Sequence, residues 1–461
     1  MKSPRRRGEV TKEWVEYMLT DYENRRTPGN KVTVKTWNFS DATKKGDGYS
    51  GDLIKLEVQA TVQNMGETFE KEYQHIIKFT SQDPIQLEFV KKWTTAKREF
   101  LIYSEVIEEL NRFQANLTDN MYPICIPTTV FSRNNDKEHV IVMENMKTLG
   151  YENKPKSEFL NFNEAKIGLE QLARLHAISY VYNKTHNINE KYPEFDVPQL
   201  YIKMLSSGIS QQIDMIVDFL KFQGESEHQN LINKIVSSKK EQIENSKKTF
   251  LTRDQSQILC LNHGDPWNNN ILVKQSENDL KSDTSVYFID WEGAHWNTSA
   301  YDVNYFLGGA LTPEMRMKHL NELLQHYHEH FTEIVEKLDS PLSNWSYQHF
   351  KKEYDVVSYW GLMKGLMFSM IISEASKEWH LSNHNVTTNP VLKSIKKGFG
   401  KFMASMSMKP SVMEKFTDGM MKKVIDPVIK EMKSGENPEL NERFLATILE
   451  GDKRGFFDLH T

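Results

Sequence analysis

The stretch Leu261-Asn-His-Gly-Asp-Pro-Trp-Asn-Asn-Asn270, read with Phe288-Ile-Asp-Trp-Glu292 shortly after it, decides how this chain folds and works. Asp265 stands five residues before Asn270, and Asp290 ends a short apolar strand, Val286-Tyr-Phe-Ile289. Two carboxylates and an amide in this order suit magnesium-dependent phosphoryl transfer. Asp265 is expected to take the proton of an attacking hydroxyl. Asn270 and Asp290 are expected to hold Mg²⁺ on the phosphates of a nucleotide. Asn268 and Asn269 compete with Asn270 for that role, and the five-residue spacing favours Asn270. His263 is expected to hydrogen-bond the loop backbone, and Trp267 to pack beneath it.

Rival chemistries fit less well. The loop carries one histidine, and Asn is a poor zinc ligand. The histidine cluster His326-Tyr-His328-Glu-His330 lies on a helix elsewhere and forms no H-E-x-x-H, so it reads as solvated helix residues. No G-x-S-x-G elbow is present for a serine hydrolase.

Upstream of the loop the pattern is β-rich. Residues 32–38 read as a strand, and Leu53–Val62 alternates as a strand does. Asn64-Met-Gly66 turns it into a second strand ending at Lys78-Phe79. Between the first two of these strands, Gly46-Asp-Gly48-Tyr-Ser-Gly51 forms a G-x-G-x-x-G. Glycines also mark ordinary turns. Lying between two strands, these argue for a hairpin folded over phosphates and against a dinucleotide-binding turn. Asp47 and Asp52 would repel phosphates, so their side chains should point away. Lys78, near the end of an apolar strand, reads either as a strand-end lysine reaching water or as a phosphate clamp. Glu99, on a helix over 87–110, is its best partner and Glu105 the reserve. Val140–Met143 is a further strand, followed by Glu144, Asn145 and Met146.

The remainder is mostly helical. Residues 10–23 form an amphipathic helix with Val10, Trp14, Tyr17 and Met18 on one face, and Phe162–Tyr180 another. Lys221–Lys248 is charge-rich and reads as an exposed helix or linker, and residues 275–285 as a hairpin loop. The stripe Tyr354, Tyr359, Trp360, Met363, Met367 and Met370 reads as core or as the lining of an apolar pocket. The expected fold is α+β and bilobal, a protein-kinase-like fold. It has a β-rich N-lobe over 1–143, a hinge and mostly helical C-lobe over 144–461, and a nucleotide cleft between them.

Composition narrows the class. With 461 residues, 38% hydrophobic and 26% charged, the chain exceeds one small core and is not disordered. A net charge of −5 gives no reason to expect a nucleic-acid partner. Two cysteines, Cys125 and Cys260, fit a reducing compartment. No apolar core follows the basic N-terminus, so no secretory signal is read there. The longest apolar run, Val356–Ile372, is short for a membrane span and contains Lys364, so it reads as a buried helix. A cytoplasmic location is expected.

These residues resemble the kinase-like superfamily, and within it the small-molecule branch that includes aminoglycoside phosphotransferases and choline kinases. The H-G-D-x-W-x-x-N form (His263, Gly264, Asp265, Trp267, Asn270) and Ile289-Asp290-Trp-Glu292 resemble more closely the ecdysteroid kinase-like (CHK kinase-like) family of arthropods. Protein kinases use H-R-D and D-F-G instead. Glu99-Phe-Leu-Ile-Tyr103-Ser-Glu-Val106, Met143-Glu-Asn-Met146 and Leu172-Ala-Arg-Leu-His176-Ala177 are similar to further family segments. Asn441-Glu-Arg-Phe-Leu445 resembles its closing helix. The resemblance implies that Gly46, Gly48 and Gly51 cover the phosphates of ATP, and that Lys78, oriented by Glu99, contacts them. It implies that the backbone of Glu144, Asn145 and Met146 binds adenine, and that Asp302 braces the catalytic loop. It also implies a small-molecule hydroxyl acceptor, an ecdysteroid or a similar lipophilic alcohol. Choline or ethanolamine is the alternative acceptor, for which Trp291, Trp296 and Glu292 are the candidate cation cage. A non-catalytic kinase-like binding protein is the alternative from another class.

Overall fold

Alternation puts every second side chain of Leu53–Val62 on one face of a strand. In the computed structural model Ile54, Leu56, Val58, Ala60 and Val62 are all buried there. The structure describes residues 1–42, 51–80, 94–135, 139–155, 158–197, 199–251, 258–275, 284–370 and 425–458. These fall into two compact units. One holds Met1–Glu109 and Cys125–Glu152, the other Leu110–Ile124 and the described residues from Asn153 onward.

The first unit is built on an antiparallel sheet. Strands β1 (Lys31–Asp41), β2 (Gly51–Asn64), β3 (Glu67–Thr80), β4 (Thr129–Asn134) and β5 (His139–Glu144) lie in the order β1-β2-β3-β5-β4. Met65 and Gly66 turn β2 into β3 with φ of 45° and 91°. That left-handed pair gives a two-residue hairpin the twist its strands need. Helix α1 (Lys12–Arg26) starts where the Thr11 side chain accepts the Trp14 N–H. It lays Trp14, Val15, Met18, Leu19 and Tyr22 on the sheet. Tyr17, expected on that face, sits at its margin and is exposed, with its ring edge on Phe131. Helix α2 (Thr95–Leu101) runs through a π-helical turn, Ile102–Val106, into α3 (Ile107–Thr118). The part of the expected helix over 87–93 lies outside the described residues.

The second unit is helical. It contains α4 (Phe162–His186), α5 (Gln199–Leu251), α6 (Ser299–Ala310), α7 (Pro313–Lys337), α8 (Tyr347–Ser369) and α9 (Pro438–Lys453). Two short strand pairs carry the loops of interest: β6 (Leu259–Asn262) with β9 (His295–Thr298), and β7 (Ile271–Lys274) with β8 (Ser285–Phe288). A β-sheet N-terminal region followed by a helical C-terminal region makes the fold α+β, as expected.

Two open readings are narrowed here. Of exposed helix or linker, Lys221–Lys248 is helix. It forms most of the second arm of α5, beyond a break at Gly224 (φ 152°), and buries Leu231, Ile232 and Ile235 in the main core. Its described charges are exposed or half-buried. The stripe on α8 also divides. Tyr359, Met363 and Met370 join that core, whereas Trp360 joins a separate aromatic cluster with Trp267, Tyr301, Tyr305 and Phe368.

A buried ionic knot closes the unit. Arg316 on α7 pairs with Glu450 on α9 at 2.5 Å, with side chains 5% and 2% exposed. The same guanidinium donates to the carbonyls of Leu307, Gly308 and Leu311, satisfying the open C-terminal end of α6. Arg454 adds a second cation to Glu450 at 3.0 Å. Glu450→Ala should therefore strand the buried Arg316, loosen the partly buried Arg454, and destabilise the helical unit by about 3–5 kcal/mol. Thermal unfolding followed by far-UV circular dichroism would show it as a much lower Tm. An unchanged Tm would mean the knot is dispensable.

Candidate active site

The loop after β6 owes its shape to a carboxylate on a neighbouring helix. Asp302, fully buried in the first turn of α6, accepts the backbone N–H of His263 at 2.5 Å and of Gly264 at 2.9 Å. A third bond comes from His176 on α4, whose Nε2 lies 3.2 Å from Asp302 Oδ2. Because the carboxylate can only accept, Nε2 carries the proton. Nδ1 then accepts from the Tyr327 hydroxyl at 2.8 Å, on α7. Burial alone would raise the pKa of Asp302, but the bonds from His176 and Gly264 outweigh it and hold the carboxyl below its usual range.

His263 ties this loop to the one after β8. Its Nδ1 accepts the Asp265 N–H at 3.2 Å, so its Nε2 donates to the Ile289 carbonyl at 3.1 Å. The ring is thereby fixed as the neutral Nε2–H tautomer, and burial holds its pKa low. The same two loops touch at Gly264, where φ is +84° and a Cβ would stand 1.9 Å from the Gly293 carbonyl oxygen. No residue but glycine fits. Asp290 takes the left-handed conformation, φ 65° and ψ 67°. A non-glycine residue pays about 1 kcal/mol for that, and such positions cluster at functional sites.

Asp265 is held from several sides. Its carboxylate accepts from Asn270 Nδ2 at 2.8 Å and Trp267 Nε1 at 3.2 Å, and closely from the Tyr305 hydroxyl on α6. Asn270 Nδ2 also donates to the Asp265 carbonyl at 3.0 Å. Both amide hydrogens are thus spent, and Oδ1 is left for another ligand. Asn268 instead gives its amide to the Glu158 carbonyl. Oxygen donors from Asn270 and Asp290 are the hard ligands that Mg²⁺ prefers.

Electrostatics around Asp265 are finely balanced. Desolvation pushes its pKa up, the Lys364 ammonium and the Tyr305 hydroxyl pull it back, and the Asp290 charge raises it again, leaving it at about 6. Lys364, on α8, lies over the rings of Tyr305 at 4.4 Å and Trp360 at 4.6 Å. Burial lowers its own pKa to about 8 against the pull of Asp265. Small residues bring it there. A Cβ on Gly308 of α6 would stand 2.2 Å from the Gly361 carbonyl oxygen on α8, so the two backbones touch one turn from Lys364. Beneath the loop, Trp267 stacks on Phe368 with centroids 4.4 Å apart.

In the first unit, Lys78 lies on β3 between β2 and β5, opposite Leu53 on one side and Ile141 on the other. Its ammonium meets Glu99 Oε1 at 2.7 Å, both residues being buried. Glu105, the reserve partner, is exposed. After β5, Asn145 donates its N–H to the Gln74 carbonyl and its own carbonyl accepts from Thr148. Met146 opens a short 3₁₀ turn that ends at Gly150 in the left-handed region. Gly51 opens β2 opposite Thr80. Gly46, Asp47, Gly48 and the side chain of Asp52 lie outside the described residues.

The structure thus gathers Asp265, Asn270, His263 and Asp302 in one hydrogen-bonded group, with Asp290 on the loop that His263 holds. It pairs Lys78 with Glu99 in the other unit. Four further residues carry no loop-motif signature: Tyr305, Lys364, His176 and Tyr327. One signal was available, since Lys364 is the lone charge inside the apolar run Val356–Ile372.

The sequence profile of the ecdysteroid kinase-like family matches residues 45–340, which takes in the Gly-rich segment, Lys78, Glu99, the H-G-D loop and Asp302. The chain belongs to the ecdysteroid kinase-like family. A search of the curated proteins finds no match. Among solved structures, an ethanolamine kinase of Plasmodium vivax is similar at 13% identity, with 84% of this chain and 88% of that chain covered and a TM-score of 0.36. The GDP complex of wild-type aminoglycoside 2'-phosphotransferase-IIIa is similar at 11% identity, with 85% and 99% covered and a TM-score of 0.37. A choline/ethanolamine kinase family protein from Mesorhizobium loti is similar at 11% identity, with 83% and 92% covered and a TM-score of 0.33. These likenesses are loose, and family membership rests on the profile match. Among the described residues, no helix of this ecdysteroid kinase-like protein is long and apolar enough to cross a membrane.

The raised pKa of Asp265 has a consequence for stability. A rise from 3.8 to about 6 corresponds to roughly 3 kcal/mol disfavouring the ionised form in the folded state. Below about pH 3 the carboxyl is neutral folded and unfolded, and no cost arises. The cost builds as pH rises past 3.8 and is imposed in full once pH passes about 6. Asp265→Asn, which keeps the acceptor oxygen, should raise Tm at pH 7–8 and lose that advantage toward pH 3. A lower Tm at pH 7.5 would contradict this account of the site.

Proposed function

We propose that this protein is an ATP- and Mg²⁺-dependent phosphotransferase acting on a hydroxyl of a small molecule, an ecdysteroid or a similar neutral, lipophilic alcohol. The observation that carries the reading is the Asp265 carboxylate, desolvated and tuned to about 6, hydrogen-bonded to an Asn five residues on, in a loop braced by Asp302. A base poised just below neutral pH is ionised at work and still basic enough to take a proton in the transition state.

In this reading Asp265 orients the acceptor hydroxyl and removes its proton as the oxygen bonds to the γ-phosphorus. The bond from that phosphorus to the bridging oxygen breaks, and ADP leaves. Asn270 Oδ1 and the Asp290 carboxylate would hold Mg²⁺, which would supply neutralisation of phosphate charge. Lys78, steered by Glu99, contacts the phosphates, and the backbone at Glu144, Asn145 and Met146 receives adenine. The protein's share of catalysis is position and fixed charge.

Lys364 supports a neutral acceptor. Its ammonium already sits over Tyr305 and Trp360, in the electrostatic reach of Asp265. A quaternary or primary ammonium substrate would face a like charge there, whereas a neutral alcohol would not. The tryptophans first considered for a cation cage are buried. Trp291 packs on His263 and donates to the Phe288 carbonyl, and Trp296 is a core residue of β9.

ADP release with MgATP, screened over sterol-type alcohols, choline, ethanolamine and amino sugars, tests the proposal. Turnover with the neutral alcohols, reduced by several orders of magnitude in Asp265→Asn and Asp290→Asn, is expected. Turnover confined to choline or ethanolamine would overturn the acceptor class, and absence of MgATP binding would overturn the enzyme reading.

A second test uses pH. The kcat/KM profile should fall below an apparent pKa near 6 as Asp265 protonates. Replacing Lys364 by Met removes a cation that favours the carboxylate, so the acid limb should move to higher pH. A limb unmoved in Lys364→Met would separate Lys364 from the base.

A further inference from the structure

Away from the candidate active site, the helices α4 and α7 bring three metal-binding side chains together. His326 and His330 are one turn apart on α7 and share a face. Glu170 on α4 faces them both. Its Oε1 lies 2.9 Å from His326 Nε2 and 3.5 Å from His330 Nε2. Their donor atoms all lie within 4.8 Å of one another. These histidines were expected to be solvated helix residues. They are instead partly buried, with His326 and His330 side chains 13% and 33% exposed.

The hydrogen bonding of His330 points to a ligand. Its Nδ1 is 3.2 Å from the His326 carbonyl oxygen. A carbonyl only accepts, so Nδ1 carries the proton, and the Nε2 lone pair of a neutral ring faces the Glu170 carboxylate. Two acceptors then oppose each other. His326 presents the same carboxylate with a second ring, its centroid 4.3 Å from that of His330. One cation held between the three donors resolves the conflict. A backbone carbonyl on the far ring nitrogen is also the usual outer-shell partner of a metal-binding histidine.

The spacing fits. Zinc bonds to His nitrogen and carboxylate oxygen are about 2.0–2.2 Å, which puts tetrahedral neighbours about 3.3 Å apart. The two measured separations, 2.9 and 3.5 Å, bracket that value. We propose that Glu170, His326 and His330 form a binding site for a divalent transition-metal ion of the zinc class, separate from the oxygen-ligand Mg²⁺ site. Two imidazoles and one carboxylate favour zinc over magnesium. The fourth position is left to water, and the site is a clamp between two helices. It joins the two helices that also carry His176 and Tyr327, the outer members of the chain that holds Asp302.

The test uses the full chain without a histidine tag, stripped with chelator and desalted. Zn²⁺ is titrated calorimetrically, and Co²⁺ is added separately to read visible d–d bands. One Zn²⁺ per chain is expected, with affinity reduced at least about tenfold in His330→Gln and Glu170→Gln and unchanged in His228→Gln. Zn²⁺ should also raise the Tm of wild type and not that of His330→Gln. His330 is the most exposed of the three, and circular dichroism in chelator verifies that its variant is folded. Absence of stoichiometric Zn²⁺ binding by wild type would overturn the proposal, as would binding undiminished in both His330→Gln and Glu170→Gln.

Discussion

The Asp302 carboxylate is the contact on which the candidate site rests. A loop of eight residues between β6 and β7 has no ladder of its own to fix it, and its peptide groups must find partners elsewhere. Asp302 supplies two of them in one stroke, to His263 and Gly264. Being buried, it would be a liability without compensation. His176, itself steadied by Tyr327, provides that compensation from α4 and α7. Three helices therefore converge on the shape of one turn, and Asp265 inherits its position from them.

Around Asp265 the opposing forces are of similar size. Removal from water and the nearby Asp290 favour the neutral acid, while Lys364 and three hydrogen-bond donors favour the anion. Neither side wins outright, which is what sets the group near neutrality. Lys364 bears the reciprocal burden, as burial lowers its pKa against the attraction of Asp265. The pair behaves as a unit, and a change at either end is felt at the other.

Much of this was legible in the sequence, for physical reasons. Local spacing fixed the Asp265–Asn270 relation, since both lie in one short loop, and period-two alternation exposed the strand leading to Lys78. Glu99 was found from its place on the next helix. What the sequence did not yield is what depends on long-range packing. Tyr305 comes to Asp265 from α6, and Lys364 comes within its electrostatic reach from α8, which crosses α6 with glycine against glycine. The buried face of α5 was masked by its many charges, because Leu231, Ile232 and Ile235 are few beside the lysines and glutamates around them.

The contact between Gly264 and Gly293 has a mechanical meaning. A joint whose parts meet with no clearance transmits displacement instead of absorbing it. The loop that carries Asp265 and the loop that carries Asp290 are packed backbone to backbone there, and His263 pins them a second time at the Ile289 carbonyl. A shift of either loop pushes the other along, so the two carboxylates keep their separation when the surrounding helices breathe. The tolerance of the pair is set by bond lengths and atomic radii, and it does not rely on the stiffness of either loop alone.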